Sequence, residues 1–417
     1  MQIVEPYDEP DLPPPFKPHH TGAQRVMMAF NIVVVVGCLA GAGALLVGKN
    51  TLDNTLATQH VDVVTTTAAP PVTTAAPGTT VDVSTTVPAT FPPADPNAVN
   101  FLITGSDANS CTDPGSPWVG AADPNRDTQG RSDSIMVMRI DPTTRRAAVL
   151  SFPRDLWVKV NGANARINNA YIQDDYSLLA QTLYDNFGVV VDHYLQVDFC
   201  AFKQIVNAVG GVAVPFKTRI VDPHVGLDIP AGCHTFYGDE ALAYVRSRHL
   251  KWVDDQGNTN EDRAADLGRI SRQQDFLRRV LQAAIKKGIY DPSVATALIQ
   301  SMQTYIVRDS GMLAIDDMLS FAGVMRDIDP AGIRTYQVTS YGKVVGGVAV
   351  QIPKLTSDNM QAILAIFLGT APLPTATTPT TTGASVAPGT TIAGTTSPVD
   401  PDEDVQGDIV PDATIQC

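Results

Sequence analysis

The sequence predicts an α/β domain with a central mixed β-sheet flanked by helices, preceded by one transmembrane helix. Short runs of β-branched and apolar residues alternate with segments of helical periodicity through the middle of the chain. Turn-forming dipeptides, such as Asp141-Pro142 and Gly210-Gly211, separate these segments. Several strand-like runs are apolar throughout, which is typical of strands in the centre of a sheet. These patterns do not specify the order of the strands.

Five segments have the composition of strands, and five have the periodicity of helices. The strands are predicted at Asn100–Gly105, Ser134–Ile140, Ala147–Phe152, His193–Phe199 and Gly211–Phe216. The helices are predicted at Ser177–Phe187, Phe199–Val209, Asp266–Lys287, Ile315–Met325 and Ser357–Phe367. In such a domain the helices pack on the faces of the central sheet.

A long apolar segment lies near the start of the chain. Residues 1–25 are rich in proline and acid and are predicted to form a disordered cytoplasmic tail. Residues 26–47 carry no charge and are numerous enough to span a bilayer. A cleaved signal peptide is the alternative, but this segment is longer than a signal-peptide apolar region. Basic residues are more frequent before it than after it, which favours a single-pass protein of the cell membrane with a cytoplasmic amino terminus.

Two tracts rich in threonine, proline and alanine enclose the structured part of the chain. The first, at 48–97, is predicted to be an extended linker because its composition cannot form a packed core. The second opens a disordered tail at 371–417 that ends in an acidic segment. The sequence therefore predicts an extracytoplasmic catalytic domain at residues 98–370.

The formal net charge of -14 argues against nucleic acid as the main partner. Because acidic residues are abundant in the flanks and tails, arginines clustered in the middle of the chain indicate a local anion site.

Such a cluster lies between Ala243 and Gln274. Arg246 and Arg248 follow a short apolar run, so two guanidinium groups are placed where a regular element ends. Four further residues are spaced to lie along one helix face: Asp266, Arg269, Arg272 and Gln273. Guanidinium groups match the geometry of phosphate oxygens. The alternative is a solvated helix face whose arginines pair with local carboxylates.

Two aspartates are placed where predicted strands meet a polar loop. Asp107 follows the first strand, and Asp133 lies just before the second. Two carboxylates with few other protein ligands suit Mg²⁺, with Mn²⁺ as the alternative, because substrate phosphate oxygens complete the coordination. Either aspartate alone could instead be a turn or cap residue. Arg154 adds a guanidinium at a third strand end, whereas Ser151 lacks the surroundings of a catalytic nucleophile.

A series of motifs through this region resembles the LytR-CpsA-Psr family. The motifs occur in the family's order from about residue 100 to 284: GSD (Gly105–Asp107), RSDSIMV (Arg131–Val137), LSFPRDLWV (Leu150–Val158), RINNAY (Arg166–Tyr171), VDFCAF, AVGGV, YGDEALAYVRSRH (Tyr237–His249) and DLGRISRQQ (Asp266–Gln274). The resemblance implies a Mg²⁺-dependent phosphotransferase that moves a glycopolymer from a polyprenyl-pyrophosphate carrier onto peptidoglycan.

The resemblance also implies roles for individual residues. The metal-binding aspartates fall on Asp107 and Asp133. The pyrophosphate-binding residues fall on Arg131, Arg154, Arg246, Arg248, Arg269 and Gln273. Asp266 either activates the acceptor hydroxyl or orients Arg269. The catalytic set is accordingly predicted to be Arg154, Arg246, Arg248 and Asp266.

Several alternatives stay open. The motifs look like those of the actinobacterial branch, which suggests arabinogalactan as the polymer, with teichoic-acid-like or capsular polymers as alternatives. A pyrophosphatase acting on the lipid carrier, or a non-catalytic lipid-carrier binding protein, would use much of the same residue set. The lipid would need an apolar groove, for which the candidates are Leu178, Leu179, Leu183, Phe187 and Val206, against the alternative that these are ordinary core residues.

Four cysteines lie outside the apolar amino-terminal segment, an even number that suits two disulfides in an oxidising compartment. Cys200 opens a predicted helix and Cys233 lies in the turn region that follows, so these two are predicted to pair. That pairing leaves Cys111 with Cys417. The alternative is that Cys417 is unpaired or pairs with another chain.

Overall fold

A computed structural model describes residues 60–61, 97–107, 111, 113, 115–118, 132–262, 264, 266–288, 306–312, 328, 332–374, 401, 411 and 417. The predicted tail at 1–25, the apolar segment at 26–47 and the predicted helix at Ile315–Met325 lie outside these residues. In the described part of the chain, no helix combines the length and the apolar character needed to cross a membrane.

The strands are short and numerous. In chain order they are β1 (His60–Val61), β2 (Val99–Ser106), β3 (Ser132–Asp141), β4 (Arg146–Phe152), β5 (Trp157–Val160), β6 (Ala163–Arg166), β7 (His193–Asp198), β8 (Val212–Phe216), β9 (Ile220–Asp222), β10 (Leu227–Ile229), β11 (Gly232–Phe236), β12 (Lys251–Val253), β13 (Thr259–Glu261), β14 (Ile306–Asp309), β15 (Arg334–Gln337), β16 (Ser340–Val345) and β17 (Val348–Pro353). All five strands predicted from sequence are confirmed within a few residues.

Seven of these strands form the central sheet, in the order β1-β14-β7-β2-β3-β4-β15. Strand β2 pairs antiparallel with β3 and parallel with β7, and β4 pairs parallel with β15. The sheet is therefore mixed, as predicted. The remaining strands form a four-stranded sheet, β10-β9-β12-β13, and three two-stranded sheets, β8–β11, β5–β6 and β16–β17.

Two residues within the predicted linker at 48–97 are part of a strand. His60 and Val61 form β1, which pairs in parallel with Arg308 and Asp309 of β14 at the edge of the central sheet. The local sequence explains the pairing, since the β-branched Val61, Val63 and Val64 follow His60 and suit an extended edge strand.

Five α-helices are described: α1 (Ser177–Phe187), α2 (Phe199–Ala208), α3 (Gly238–Arg246), α4 (Asp266–Ala283) and α5 (Asp358–Phe367). Four of them confirm sequence predictions, and α3 was recognised only as the end of an apolar run. Helix α1 ends at Gly188, whose left-handed backbone (φ 72°) suits glycine. Helix α4 ends earlier than predicted because the backbone passes into a π-helical turn at Ala284–Gly288.

Helices cover both faces of the central sheet. One face buries Leu102 and Leu150 together with residues of α1 and α5. The opposite face buries Phe101 and Val149, with Leu277 of α4 packed against it. A further apolar core joins α2, α3 and α4 to the two-stranded sheet β8–β11 through Val206, Phe216, Phe236, Tyr244 and Phe276.

Candidate active site

The strand ends that carry the predicted site residues meet at one edge of the central sheet. The register places Ser106 opposite Asp198 of β7 and Ser132 of β3. On the other side of β3, Ser151 of β4 pairs with Gln337 of β15. We call this end of the central sheet the site edge. It is marked by Ser106, Ser132, Ser151, Asp198 and Gln337 and includes Asp107 and Asp133, which directly follow Ser106 and Ser132. It contains the carboxyl ends of four strands, the position at which α/β folds commonly bind ligands.

The two predicted metal-binding aspartates both belong to the site edge. Asp107 directly follows the last residue of β2 and is half-buried. The register between β2 and β3 shifts here, since Gly105 is opposite Ser134 and Ser106 is opposite Ser132. Asp133 is thus the extra residue of a β-bulge, a feature that often redirects a side chain near an active site. The side chain of Asp133 lies outside the described part of the structure.

A cavity of about 210 Å³ opens beside these residues. Its wall is mostly apolar and is formed by β2, β3, β7 and helices α2, α3 and α4; it includes Ile103, Met136, Phe202, Ile205, Val206, Leu242, Phe276 and Val280. Polar groups enter the lining where the cavity meets the site edge, at Asp107, Asp198, Arg246 and Gln273. The arrangement suits an amphiphilic ligand with an apolar part in the cavity and a polar head at the site edge.

Of the residues suggested for a lipid groove, Val206 lines this cavity. Leu179, Leu183 and Phe187 are instead buried in the core beneath α1, on the other side of the sheet, so the ordinary-core alternative holds for these three. The helical periodicity of α1 does not reveal which sheet face the helix covers.

Arg246 is the last residue of α3, and its guanidinium carbon lies 4.3 Å from the ring centroid of Phe199. Phe199 begins α2, directly after the N-capping Asp198, which accepts a hydrogen bond from the backbone N–H of Ala201 at 2.7 Å. A cation over an aromatic face is attracted by the ring quadrupole. The contact therefore orients Arg246 along the cavity wall. Phe199 is a site residue that the sequence analysis missed, although it lies within a quoted family motif.

Asp266 pairs with two of the arginines that are predicted to bind pyrophosphate. We call these arginines, Arg131, Arg154, Arg246, Arg248 and Arg269, the clamp. Its Oδ1 lies 3.4 Å from Nε of Arg248 and 3.1 Å from Nη2 of Arg269. Arg269 is almost completely buried, whereas Asp266 and Arg248 are about one quarter to one third exposed. A carboxylate shared between two guanidinium groups holds both in place, which favours the orienting role over the role of a general base.

The helix predicted from Asp266 onward is confirmed, and the residues of its predicted polar face have different hydrogen-bond partners. The Gln273 amide joins the strand and helix sides of the site: its Nε2 donates to the carbonyl of Val245 at 3.1 Å, and its Oε1 accepts from the hydroxyl of Ser134 at 3.1 Å. Arg272 is buried and binds Asp262 at 2.9 Å. Gly268 permits that pairing, because a Cβ there would lie 2.3 Å from Oδ2 of Asp262.

Arg154 lies at the turn after β4, and its Nε is 3.6 Å from Asp155. Asp155 also pairs with Arg166, at 3.2 Å. The backbone carbonyl of Arg154 accepts a hydrogen bond from the N–H of Asn168, so the loop is fixed on both sides. Arg131, the remaining predicted clamp residue, lies outside the described residues.

A buried polar network supports the end of β2. Tyr171 and Tyr194 both donate to Oε1 of Gln196, at 2.9 Å and 3.0 Å. Burial raises the pKa of Tyr171 to about 12, and the negative charges of Asp174 and Asp107 act in the same direction against a hydrogen bond with Ser106. The phenol of Tyr171 is therefore protonated at neutral pH, and its one proton is donated to Gln196.

The predicted disulfide pairing is wrong. Cys111 pairs with Cys200 and Cys233 pairs with Cys417, with Cα–Cα distances of 5.3 Å and 5.7 Å. The reason is the sheet order, because β2 and β7 are parallel neighbours. The residues that follow β2 and β7 therefore meet, which brings Cys111 to the start of α2. Cys233 is on β11, opposite Pro215 of β8.

Among the described residues, no group of three or more His, Cys, Asp or Glu side chains is arranged to hold a metal ion. This does not bear on the predicted pair, which has two carboxylates and includes the undescribed side chain of Asp133. The backbone positions of Asp107 and Asp133 on adjacent strands fit a Mg²⁺ site that substrate oxygens and water complete.

Comparison with known proteins gives a consistent result. A family model, LytR_cpsA_psr family, matches residues 62–366. "Probable cell wall biosynthesis protein LcpB" of Corynebacterium glutamicum is 36% identical over 160 residues, 38% of this chain and 36% of that protein. "Polyisoprenyl-teichoic acid--peptidoglycan teichoic acid transferase TagU" of Bacillus mycoides is 32% identical over 215 residues, 48% of this chain and 63% of that protein. The chain thus covers only part of the length of either relative.

Among solved structures, a LytR-Csp2A-Psr enzyme from Actinomyces oris aligns with a TM-score of 0.51 and 21% sequence identity. The alignment covers 67% of this chain and 93% of that chain. At this level of identity the likeness concerns the fold.

Proposed function

The chain belongs to the LytR-CpsA-Psr family, and on that premise we propose that it is a Mg²⁺-dependent phosphotransferase. It moves a glycopolymer, arabinogalactan or a similar wall polymer, from a polyprenyl-pyrophosphate carrier onto peptidoglycan through a phosphodiester bond. The names of the relatives, a cell wall biosynthesis protein and a teichoic acid transferase, support this class of reaction.

One observation carries the proposal: a mostly apolar cavity ends at Asp107, Arg246 and Gln273 on the site edge. A polyprenyl pyrophosphate has the matching shape, with a long hydrocarbon chain and a doubly charged head. Burial of the chain contributes about 0.8 kcal/mol for each CH₂ group removed from water. Lipid burial thus provides affinity, while the polar end of the cavity fixes the position of the phosphates.

The arginines bind the pyrophosphate and stabilise the charge that gathers on its leaving phosphate. Arg246 and Arg248 extend from the end of α3, Arg269 comes from α4, and Arg154 comes from the turn after β4. We assign Arg131 and Gln273 to the same head group. Fixed guanidinium groups offset developing charge without reorganising during the reaction. Asp266 orients Arg248 and Arg269.

Asp107 and Asp133 would hold the Mg²⁺ ion, which when bound supplies positive charge next to the phosphate oxygens. The residues of this chain position the two reacting partners. A peptidoglycan hydroxyl oxygen forms a bond to the phosphorus that bears the sugar, and its proton passes to solvent at the open site edge. The bond from that phosphorus to the bridging oxygen breaks, and polyprenyl phosphate leaves. Positioning and charge stabilisation account for most of such a reaction.

The donor and acceptor chemistry also fits the predicted location. We propose that residues 26–47 anchor the protein in the cell membrane, with the amino terminus in the cytoplasm and the catalytic domain outside. The lipid carrier is then delivered from the same membrane.

A cavity-filling variant tests the donor assignment. Ile205 lines the cavity and is only half-buried, so Ile205→Trp is expected to occupy the lipid space with little effect on folding. We expect the affinity for polyprenyl pyrophosphate to fall at least about tenfold, while the affinity for inorganic pyrophosphate stays unchanged. Titration calorimetry with both ligands on the full-length chain measures the difference. Equal effects on both ligands, or no effect on either, would contradict the lipid assignment.

A further inference from the structure

Most residues of the β16–β17 hairpin are partly or fully exposed to solvent. Six residue pairs join Ser340–Val345 to Val348–Pro353, and Gly346 and Gly347 form the turn between the two strands. Both turn glycines have positive φ, 57° and 82°, which is the geometry that suits a two-residue hairpin loop. An alternating apolar pattern around Gly-Gly is a strong hairpin signal, which the sequence analysis did not use.

Large apolar side chains on this hairpin face solvent. Tyr341 is 46% exposed, Val344 is 68% exposed and Val348 is 43% exposed. A two-stranded hairpin has little stability of its own in water. The register puts Tyr341 and Val348 on one face of the hairpin and Val344 on the other. Exposed aromatic and β-branched side chains on such an element are a mark of an interaction surface.

The hairpin extends from the site edge. Strand β15 ends at Gln337, which pairs with Ser151, and β16 begins three residues later. Its second strand is attached to the Arg154 loop, because the N–H of Gln351 donates to the carbonyl of Asp155 at 2.9 Å. Arg166, the ion-pair partner of Asp155, also donates to the carbonyl of Ala349 at 2.7 Å. The surface is therefore continuous with one side of the proposed clamp.

The charge of this segment differs from that of the chain. Residues 338–357 contain Lys343 and Lys354 and no aspartate or glutamate, whereas the whole chain has a formal net charge of -14. The Lys354 ammonium lies 5.9 Å from the ring centroid of Tyr341. A hairpin that carries lysine, no carboxylate of its own and an exposed aromatic ring favours a partner that combines negative charge with flat, weakly polar faces.

We propose that the β16–β17 hairpin binds the acceptor, a strand of peptidoglycan, and presents its hydroxyl to the site edge. Lys343 and Lys354 attract the carboxylates of the wall peptides, and the Tyr341 ring packs against a sugar face. This inference rests on the proposed function, since it assigns the acceptor side of the same reaction. The lipid donor occupies the cavity, so the two substrates approach from different sides.

Binding of the full-length chain, kept in detergent, to purified insoluble peptidoglycan tests the proposal. Tyr341→Ala and Lys343→Glu are each expected to weaken binding at least about fivefold. The first removes an exposed aromatic contact with the partner, and the second removes a charge contact. The matched controls are Val190→Ser and Lys217→Glu. Val190 is 43% exposed and lies shortly before the first residue of β7, at the end of the strands opposite the site edge. Lys217 follows β8, a strand of another sheet. Both controls should bind peptidoglycan like the unsubstituted chain.

The affinity for inorganic pyrophosphate separates this inference from the proposed function. Hairpin variants that bind peptidoglycan normally would overturn the inference, even if Arg246→Ala loses pyrophosphate. If Arg246→Ala binds pyrophosphate as tightly as the unsubstituted chain, the proposed donor site is contradicted instead. A second copy of the chain is the rival occupant of the hairpin. Self-association that Val344→Ser abolishes, with peptidoglycan binding unchanged, would assign the hairpin to that role and overturn ours.

Discussion

The hydroxyl of Ser247 donates a hydrogen bond to the buried carboxylate of Asp222, 2.5 Å away, and Ser247 is the residue between Arg246 and Arg248. The carbonyl of Ser247 accepts a second bond, from Nη2 of Arg272 at 2.6 Å. The turn that carries both clamp arginines is therefore held from two sides. A binding group that is already ordered loses less conformational entropy when its ligand arrives.

Removal of the Ser247 hydroxyl should loosen this turn. Ser247→Ala leaves the Asp222 carboxylate buried with one partner fewer, and we expect a loss of about 1 to 3 kcal/mol in the free energy of unfolding. Urea denaturation of the full-length chain measures it. The control is Asp228→Ala, which removes an exposed ion pair with Arg219, the residue just before the neighbouring strand β9, and should change stability little. Equal stabilities of Ser247→Ala and the unsubstituted chain would contradict the account.

The planar geometry of the Arg246 guanidinium should matter more for transfer activity than its charge. Arg246→Lys keeps the positive charge but loses the planar donors, so we expect kcat/KM for transfer to fall about tenfold or more, at roughly 1.5 to 3 kcal/mol for each charge-assisted bond lost. Steady-state kinetics with a polyprenyl-pyrophosphate donor gives the value, and Arg219→Lys serves as a surface control. If lysine works as well as arginine at Arg154, Arg246 and Arg248 alike, only bulk charge is needed.

The sequence predicted the local elements of the fold better than their arrangement in space. The mixed sheet, the strand ends at Asp107 and Arg154 and the α4 face follow from local patterns, because periodicity and turn residues are local properties. The Arg246–Phe199 contact and the cavity depend on the pairing of β2 with β7, which no local pattern encodes.

The disulfides show the same limit. The predicted Cys200–Cys233 pair relied on nearness along the chain, whereas the observed Cys111–Cys200 pair depends on two parallel strands separated by about ninety residues. Parallel strands always need a long crossover, so their neighbours are distant in sequence.

Peptide mapping under non-reducing conditions should recover Cys111 joined to Cys200 and Cys233 joined to Cys417. Replacement of both Cys111 and Cys200 by serine opens a loop of 89 residues. The chain-entropy model gives an upper figure of about 4 to 5 kcal/mol for the resulting loss of stability. A Cys200–Cys233 peptide would contradict the observed pairing.

Asp309 should make stability depend on pH. Burial acts to raise the pKa of this carboxyl, but hydrogen bonds from His193 and from the backbone N–H groups of Tyr194 and Gly311 outweigh it and hold the pKa below the usual 3.8. The folded state therefore gains stability from the carboxylate above the unfolded pKa, and loses it as the pH falls through the folded pKa.

We accordingly expect Asp309→Asn to destabilise the protein at about pH 7 and to have a smaller effect below about pH 4. Urea denaturation across this range gives the difference from the unsubstituted chain at each pH. Asp185→Asn, at an exposed helical position, is the control. A difference that does not change with pH would show that the charge of Asp309 contributes nothing.

The central claim is that this chain forms a phosphodiester between a glycopolymer and peptidoglycan, and mass spectrometry of digested peptidoglycan tests it most directly. The full-length chain is incubated with a polyprenyl-pyrophosphate-linked glycopolymer and peptidoglycan, with Mg²⁺ or with a chelator. We expect wall fragments that carry the polymer through a phosphodiester with Mg²⁺, and at least about a hundredfold fewer with the chelator or with Asp107→Ala. Release of polymer phosphate without any linked fragment would instead identify a pyrophosphatase, and linked fragments formed equally by Asp107→Ala would contradict the proposed metal site.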